Sequence, residues 1–538
     1  MRSKPSTVAD VLLSQMALWG IKHLYGVAGD AIIPLLEAIG RQDALRYIAV
    51  RHESVAGFMA SAEGKCASRI GVCIGTSGPG LANMLNGIAD AAADRVPMLV
   101  VTGQVESGKV GTEAKQYIEQ QQLISPLAVY SAPLLHPDAA AAVIHRAIVE
   151  AITKQGVAHV SVPKDVLALP CHTPIRALTG LLQHTVPVNL SQLDASAAAL
   201  NAARKPMLYI GQGARSAAAQ AAELAAKLSA GIIETLGAKG TISADHELYI
   251  GGIGEGGTTE SSKLLKQSDC LLIVGANWYP EAYVPGETTV IKIDKVPGSI
   301  ESQAGITFGL AGDAAEVASR LIAKVASKDR ADWFNSVRET KAAIWRRLDR
   351  ERQPAGREIS PPMLMAALES SIAPDAIIAL DTGDHTIWFN RVFRATRQTV
   401  TFSGKWRTMG YGLPAALSAK LQFPDKEVTA LVGDGSFLMT AMELSTLVKY
   451  DIPVKIIVAN NGTLAAEQSK MAAAGITPFG VDLVNPDFSK LAGAFGIKGR
   501  KVEHADSLAD ALRELYADDQ AALLEVRITA PSPIAAHS

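Results

Sequence analysis

Two short polar clusters have the composition to hold a metal ion and a phosphorylated ligand together. The first is Gly433-Asp434-Gly435-Ser436, at the end of an apolar run from Val428 to Val432. The second is Asn460-Asn461, at the end of another run from Val454 to Ala459. A carboxylate and an amide oxygen, Asp434 and Asn461, are hard-oxygen donors suited to Mg²⁺, an ion that also takes ligand phosphates. Gly435 lets the backbone approach a phosphate closely, and a helix start there favours negative charge. The pattern from Phe437 to Val448 predicts that helix.

The elements that must position these groups are buried parallel strands. Short, continuous apolar runs that stop abruptly at small or polar residues read as strands covered on both faces. In an open parallel sheet, ligands sit beyond the carboxyl ends of the strands, so Asp434 and Asn461 are predicted to share one crevice.

The same alternation recurs along the chain. Leu24–Val27, Tyr47–Val50, Ile70–Ile74 and Pro97–Val101 are predicted strands, ending at Gly29-Asp30, Arg51-His52-Glu53, Gly75-Thr76-Ser-Gly-Pro79-Gly80 and Thr102-Gly103. Further strands are predicted at Pro206–Ile210, Ile232–Glu234, Cys270–Val274 and Val290–Ile293, with the charged segment Lys328–Arg357 as a helix. The fold class is α/β, with three doubly wound parallel-sheet domains over about 1–170, 190–330 and 360–530. Linkers are predicted at Pro170–Leu193 and near Pro361-Pro362.

The totals exclude several classes. The 538 residues are 48% hydrophobic and 19% charged, a globular balance. A formal charge of −2 makes no electrostatic case for nucleic acid. No apolar run is long enough to cross a bilayer, and Met1-Arg-Ser-Lys-Pro5 lacks a signal-peptide core. Cys66, Cys73, Cys171 and Cys270 show no metal-ligand spacing and read as thiols of a reducing compartment, so a cytoplasmic location is expected. The ending Ala530–Ser538 is too short for an amphipathic membrane anchor.

Gly433-Asp434-Gly435 with Asn460-Asn461, Asp434 and Asn461 being 27 residues apart, resembles the thiamine diphosphate signature. Arg51-His52-Glu53, Gly75–Gly80, Gly87–Asp90, Val96-Pro97, Thr102–Val105, Thr408–Pro414 and Asn485–Phe488 extend the likeness over nearly the whole chain. They are similar to the pyruvate oxidase and acetolactate synthase branch of thiamine diphosphate enzymes. The resemblance implies that Glu53 hydrogen-bonds the cofactor pyrimidine and promotes deprotonation of its thiazolium carbon. It makes Met409 the bulky residue that bends the cofactor. It implies Mg²⁺ on Asp434, Asn461 and the Thr463 carbonyl. It further implies that Gly383, Asp384, His385, Gly435 and Ser436 line the diphosphate, that Gly29, Thr76 and Pro79 bind the cofactor, and that Gln116 is a catalytic residue. It also implies a homodimer or homotetramer with active sites between subunits.

The middle domain bears on the branch. Gly211-Gln-Gly213-Ala-Arg215, Thr235-Leu236, Asp294 and Asp313 fall where pyruvate oxidases wrap FAD. Ala466-Glu467-Gln468 and Phe479–Leu483 resemble the pyruvate oxidase loop, with Glu467 a candidate to handle protons on the reacting group. The expected reaction is decarboxylation of a 2-oxoacid, pyruvate first, with electrons passing to FAD and release of acetate or acetyl phosphate. A carboligase like acetolactate synthase is the alternative. Lys115, Lys405 and Arg407 depart from the pattern and predict a cationic pocket if all three face the site.

Overall fold

The computed structural model describes residues 6–176, 188–353 and 356–530. Three six-stranded sheets, every pairing between named strands parallel, carry the chain. The first comprises β1 (His23–Gly26), β2 (Arg46–Ala49), β3 (Gly71–Gly75), β4 (Met98–Gln104), β5 (Ala128–Pro133) and β6 (Val157–Pro163), in the order β2-β1-β3-β4-β6-β5. The second comprises β7 (Pro206–Ile210), β8 (Gly231–Glu234), β9 (Tyr249–Gly252), β10 (Cys270–Val274), β11 (Thr289–Asp294) and β12 (Phe308–Ala311), in the order β12-β11-β10-β7-β8-β9. The third comprises β13 (Ile377–Leu380), β14 (Thr399–Phe402), β15 (Val428–Gly433), β16 (Lys455–Asn460), β17 (Lys498–Val502) and β18 (Ala522–Arg527), in the order β14-β13-β15-β16-β18-β17.

The strand order reverses between β7 and β10 in the second sheet. That is the dinucleotide-binding arrangement, with its crevice at the reversal. The first and third sheets share a different order, each stepping from its second strand through the first, third, fourth and sixth to the fifth.

These two sheets are joined by a common core. The helix Glu53–Ala67 packs on the helix Gly412–Gln422, burying Phe58 and Met59 beside Tyr411 and Leu413. Phe58 meets Tyr411 edge to face at 6.0 Å. Each such buried side chain contributes roughly 1.5–3 kcal/mol, enough to hold two sheets in fixed register. A polar seam crosses the junction: Tyr25 donates to Glu63 at 2.8 Å, and Ser418 donates to the Met59 carbonyl at 2.8 Å. Burial pushes the Glu63 carboxyl up to about 7. Burial, then the Arg46, Lys22 and Arg69 charges, pushes His23 down to about 4.

The helix predicted from Phe437 is displaced and broken. It starts at Asp434, stops at Leu438, gives way to a 3₁₀ turn at Ala441–Glu443 and resumes at Leu444–Lys449. The break lets Glu443 accept from the Arg51 amide at 2.8 Å, so a tertiary contact overrides the local period. The charged helix spans Ala331–Glu351. Residues 177–187 of the first predicted linker and 531–538 of the tail lie outside the described residues. Among the described residues no helix is long and apolar enough to cross a membrane.

Candidate active site

The carboxyl ends of β13, β15 and β16 bring Asp381, Gly383, Asp434, Asn461 and Thr463 to one edge. Asp434 is buried, and its Oδ2 accepts from the Gly462 amide at 2.9 Å and from Asn485 Nδ2 at 2.6 Å. Burial still raises its carboxyl above the ordinary value. A nearby dication is what would hold it ionised in such a setting. Asn461 Oδ1 accepts from the Thr463 amide at 3.2 Å, which folds the turn and sets the Thr463 carbonyl beside it. No group of three His, Cys, Asp or Glu side chains among the described residues could hold a metal. An ion here would depend on one carboxylate with amide and main-chain oxygens, a donor set that fits Mg²⁺ better than a soft metal.

Beside this edge, the helix Asp384–Val392 begins just after Gly383. Asp384 Oδ2 and His385 Nε2 are shielded from water and have no hydrogen-bond partner. Burial pushes the Asp384 carboxyl up to about 6 and holds His385 down at about 4. A His385 Nε2–H without an acceptor, next to free helix amides, is what a bound diphosphate would satisfy. The residues present therefore fit a diphosphate held with Mg²⁺.

Met409 reaches this edge through a connector, residues 403–408, that is tightly tied down. A Cβ built on Gly435 would lie 3.6 Å from Met409 Cε and 2.9 Å from Leu464 Cδ2, so the turn after Asp434 lies directly under these side chains. Asp381, which the sequence reading overlooked, is fully buried and accepts from the amides of Thr382, Gly410 and Gly412 at 2.7, 3.0 and 2.9 Å. Its signal was present: it ends the apolar run of β13. From the first sheet's side, Asp94 accepts from the Gly404 and Lys405 amides at 2.8 Å each. Asn86 accepts from Trp406 Nε1 at 2.7 Å and donates to Thr408 Oγ1 at 3.0 Å. Lys65 is buried, bonds Asp90 and Asp94 at 2.7 Å each and donates to the Phe402 carbonyl. Asn86 and Asp94 carried no recognisable motif role, because each acts only through contacts distant in sequence, and Asn485 stood in a motif without a role of its own.

The first sheet's edge carries Gly29, Glu53, Thr76 and Pro79. Glu53 opens the helix Glu53–Ala67, where negative charge is favoured, and its Oε2 accepts from Asn83 at 2.9 Å. Thr76 Oγ1 accepts from the Ala31 amide at 3.2 Å, linking the turns at Gly29 and Thr76. Pro79 starts the helix Pro79–Ala93. Gln116 is exposed with φ of 65° and lies against Gly78 of the turn after β3. Within the chain, no hydrogen bond or ion pair joins Glu53 to Asp434, Asn461 or Met409. Glu467 is exposed and pairs with Lys470 at 2.8 Å, away from these groups.

The second sheet forms one wall of a cavity of about 1500 Å³. Gly213, Arg215, Thr235, Leu236, Asp294 and Asp313 all line it, so positions 100 residues apart in sequence converge. Their roles differ from simple ligand contacts. Gly211 is not among the lining residues, and a Cβ there would come 2.2 Å from the Gly275 carbonyl oxygen, so loop packing by itself requires a glycine. Arg215 donates to the Gly237 carbonyl at 2.9 Å and also to the Val400 carbonyl. Asp313 caps the helix Ala314–Lys324; despite burial, the Lys295 ammonium and the cap amides hold its carboxyl below the usual range. Asp294 accepts from Ser299 Oγ at 2.8 Å. The size of the cavity and its place at the β7/β10 reversal fit a dinucleotide.

Lys115, Lys405 and Arg407 do not converge on one pocket. Lys405 and Arg407 line the large cavity, and Arg407 pairs with Glu255 at 3.3 Å, while Lys115 is exposed on the loop before Gln116.

The three sheets and the Asp434–Asn461 edge together define a thiamine diphosphate-type architecture, and the chain belongs to the thiamine pyrophosphate enzyme family. The family's N-terminal, central and C-terminal domain models match residues 6–123, 193–321 and 381–526. The chain is 31% identical to YdaP of Bacillus subtilis, named as a thiamine pyrophosphate-containing protein, over 98% of this chain and 92% of that one. It is 31% identical to an acetolactate synthase of Mycobacterium bovis (95% and 86% covered) and 28% identical to a pyruvate oxidase of Lactiplantibacillus plantarum (98% and 89% covered).

Proposed function

We propose that this enzyme decarboxylates a 2-oxoacid, pyruvate first among them, with thiamine diphosphate and Mg²⁺, and passes the electrons to FAD, releasing acetate or acetyl phosphate. The observation that carries the flavin part is the 1500 Å³ cavity lined by six of the seven residues assigned to a flavin. Thiamine diphosphate, when bound, supplies a carbon nucleophile and an electron sink, so no protein nucleophile is required. In this reading Asp434, Asn461 and the Thr463 carbonyl hold the metal. Gly383, Asp384, His385, Gly435 and Ser436 surround the diphosphate, while Glu53 keeps a proton in place at the pyrimidine ring. Met409 fills the space that sets the cofactor's bend, a positioning effect.

Assembly as a homodimer or homotetramer is part of the proposal. Glu53 has no link to the Asp434 edge of its own chain, and apolar side chains stand exposed beside that edge: Leu438, Met439 and Met442, with Met439 62% exposed. Such a patch favours burial by a second subunit.

The carboligase reading has support from the acetolactate synthase relatives, and one experiment separates the two. The visible spectrum of the purified protein is recorded without oxygen, before and after pyruvate with thiamine diphosphate and Mg²⁺. Bleaching of a flavin band is expected. A flavin that stays oxidised while acetolactate accumulates would replace the oxidase by the carboligase. No flavin band at all would remove the flavin from the proposal.

A further inference from the structure

The large cavity lies between two sheet edges of opposite sense. Its floor is the carboxyl edge of the second sheet. Its roof is the amino edge of the first sheet, where Lys22, Arg69 and Arg95 each stand one to three residues before a strand: β1, β3 and β4. Those strands are consecutive neighbours in the sheet, so the topology sets the three cations in a row. With strands about 4.8 Å apart, the row spans roughly 10 Å.

The row is not neutralised by the protein. Neither these three residues nor Lys405, which lies in the same cavity, has an ion-pair partner among the described residues. Some buried cations of the chain are paired, as with Lys65 and Asp90 at 2.7 Å and Arg391 and Glu351 at 2.6 Å, whereas Lys22, Arg69 and Lys405 stand exposed in the cavity and unpaired. Arg95 is the most constrained of the row. It adopts a left-handed φ of 57°, and its Nη1 is shielded from water without a hydrogen-bond partner. The φ follows from the helix C-terminus that Arg95 closes, where the Val96 amide donates to the Ala91 carbonyl at 2.8 Å; what bears on a ligand is that Arg95 lines the cavity with hydrogen-bonding capacity left over. The wider balance agrees. Eight basic and four acidic side chains line the cavity, a surplus of four in a chain of net charge −2. One diphosphate, as in a flavin dinucleotide, would cancel only half of it.

We propose that Lys22, Arg69 and Arg95, with Lys405, form a second anion site on the roof of this cavity, one that binds a polyphosphate-bearing ligand such as a nucleoside diphosphate. Guanidinium forks suit phosphate oxygens, and a diphosphate or triphosphate chain is short enough to lie along the row. The inference goes beyond the flavin reading and does not need it, because the glycine-bearing loops that would serve a dinucleotide are on the opposite wall.

The test is calorimetric titration of the purified holoenzyme, saturated with thiamine diphosphate and Mg²⁺, with ADP and separately with inorganic pyrophosphate. Flavin content is read in parallel from the visible spectrum. The expected result is that ADP binds, that its affinity falls at least tenfold in the Arg69→Ala/Arg95→Ala variant, and that flavin content is unchanged. Lys22→Ala, at an exposed position where folding is safe, should weaken ADP about threefold on its own. Pyrophosphate binding as tightly as ADP would mean that phosphate charge alone is recognised, and weaker binding that the nucleoside adds contacts; both support the site. Absence of binding by both probes would overturn it, as would equal affinity in the variants. Loss of flavin in step with ADP binding would also overturn it, by assigning the row to the dinucleotide itself.

Discussion

The first and third sheets are built on one plan, yet their carboxyl edges carry different chemistry. β3 ends at Gly75-Thr76 and β15, its counterpart in strand order, ends at Gly433-Asp434. Thr76 spends its hydroxyl on the Ala31 amide and so closes a turn. Asp434 receives two donors on one oxygen and stays a buried carboxylate beside Asn461. After β2 the chain goes straight into a helix headed by Glu53, whereas after β14 it runs through the pinned connector to Met409. In the proposed function, the same backbone plan would offer one edge to a metal and phosphates and another to a proton-holding carboxylate. A shared fold supplies places, and the residues at strand ends assign the roles.

Exchanging those roles should break the comparison most severely. Asp434→Thr puts at β15 the residue type found at β3. Turnover should fall by more than about 10³-fold with loss of Mg²⁺-dependent cofactor retention, while circular dichroism keeps the α/β signature. Retained cofactor binding would show that the third sheet's edge is not the metal site. Glu53→Gln should lower turnover about 10²- to 10⁴-fold with the cofactor still bound, as measured by steady-state rates and by quenching of tryptophan fluorescence. Near-normal rates would transfer the proton role away from the first sheet.

A smaller effect is expected where the two sheets meet at the connector. Asp94→Asn removes a charge that Lys65 and the Gly404 and Lys405 amides share, and it should weaken apparent thiamine diphosphate affinity about tenfold, with a lesser effect on turnover at saturation. An unchanged cofactor titration would make Asp94 a purely structural brace.

The smallest effect concerns the polar seam. Glu63 has a folded pKa raised to about 7, so it contributes stability that is fully present below its unfolded pKa and is lost as pH rises through 7. The swing is at most about 3 kcal/mol. His23, lowered to about 4, acts in the opposite sense, losing stability as pH falls from its ordinary value through 4. Below pH 6.5 the two slopes oppose each other, so urea unfolding should show a decline near pH 7, and Glu63→Gln should replace it by the rise toward neutral pH that His23 alone produces. An identical slope in the variant would mean that Glu63 is not the group responsible.

Apolar runs bounded by small residues were enough to place strands such as β3, β7, β15 and β16, because a strand buried on both faces leaves a signal in consecutive residues. Those runs also located Asp434, Asn461 and Glu53, since a residue at the end of a parallel strand is at the ligand edge whatever surrounds it. The helix after Asp434 was misjudged, because its break depends on Glu443 meeting Arg51, nearly 400 residues away. Gly211 was given a ligand role from its motif, and only the approach of the Gly275 loop reveals its packing role. Lys405 and Arg407 were expected to form one cationic pocket with Lys115, whereas they line the large cavity without it.

The sequence by itself determined the α/β class, the three sheets' main strands and the residue types at their ends, because strand burial and strand termination are local events. Only the tertiary structure decided that the first and third sheets share one strand order and one core, that Asp381, Asn86 and Asp94 hold the connector, and that three cations line one roof. Those outcomes rest on which strands become neighbours, and neighbours in a parallel sheet are set by long crossovers that no short window of sequence contains.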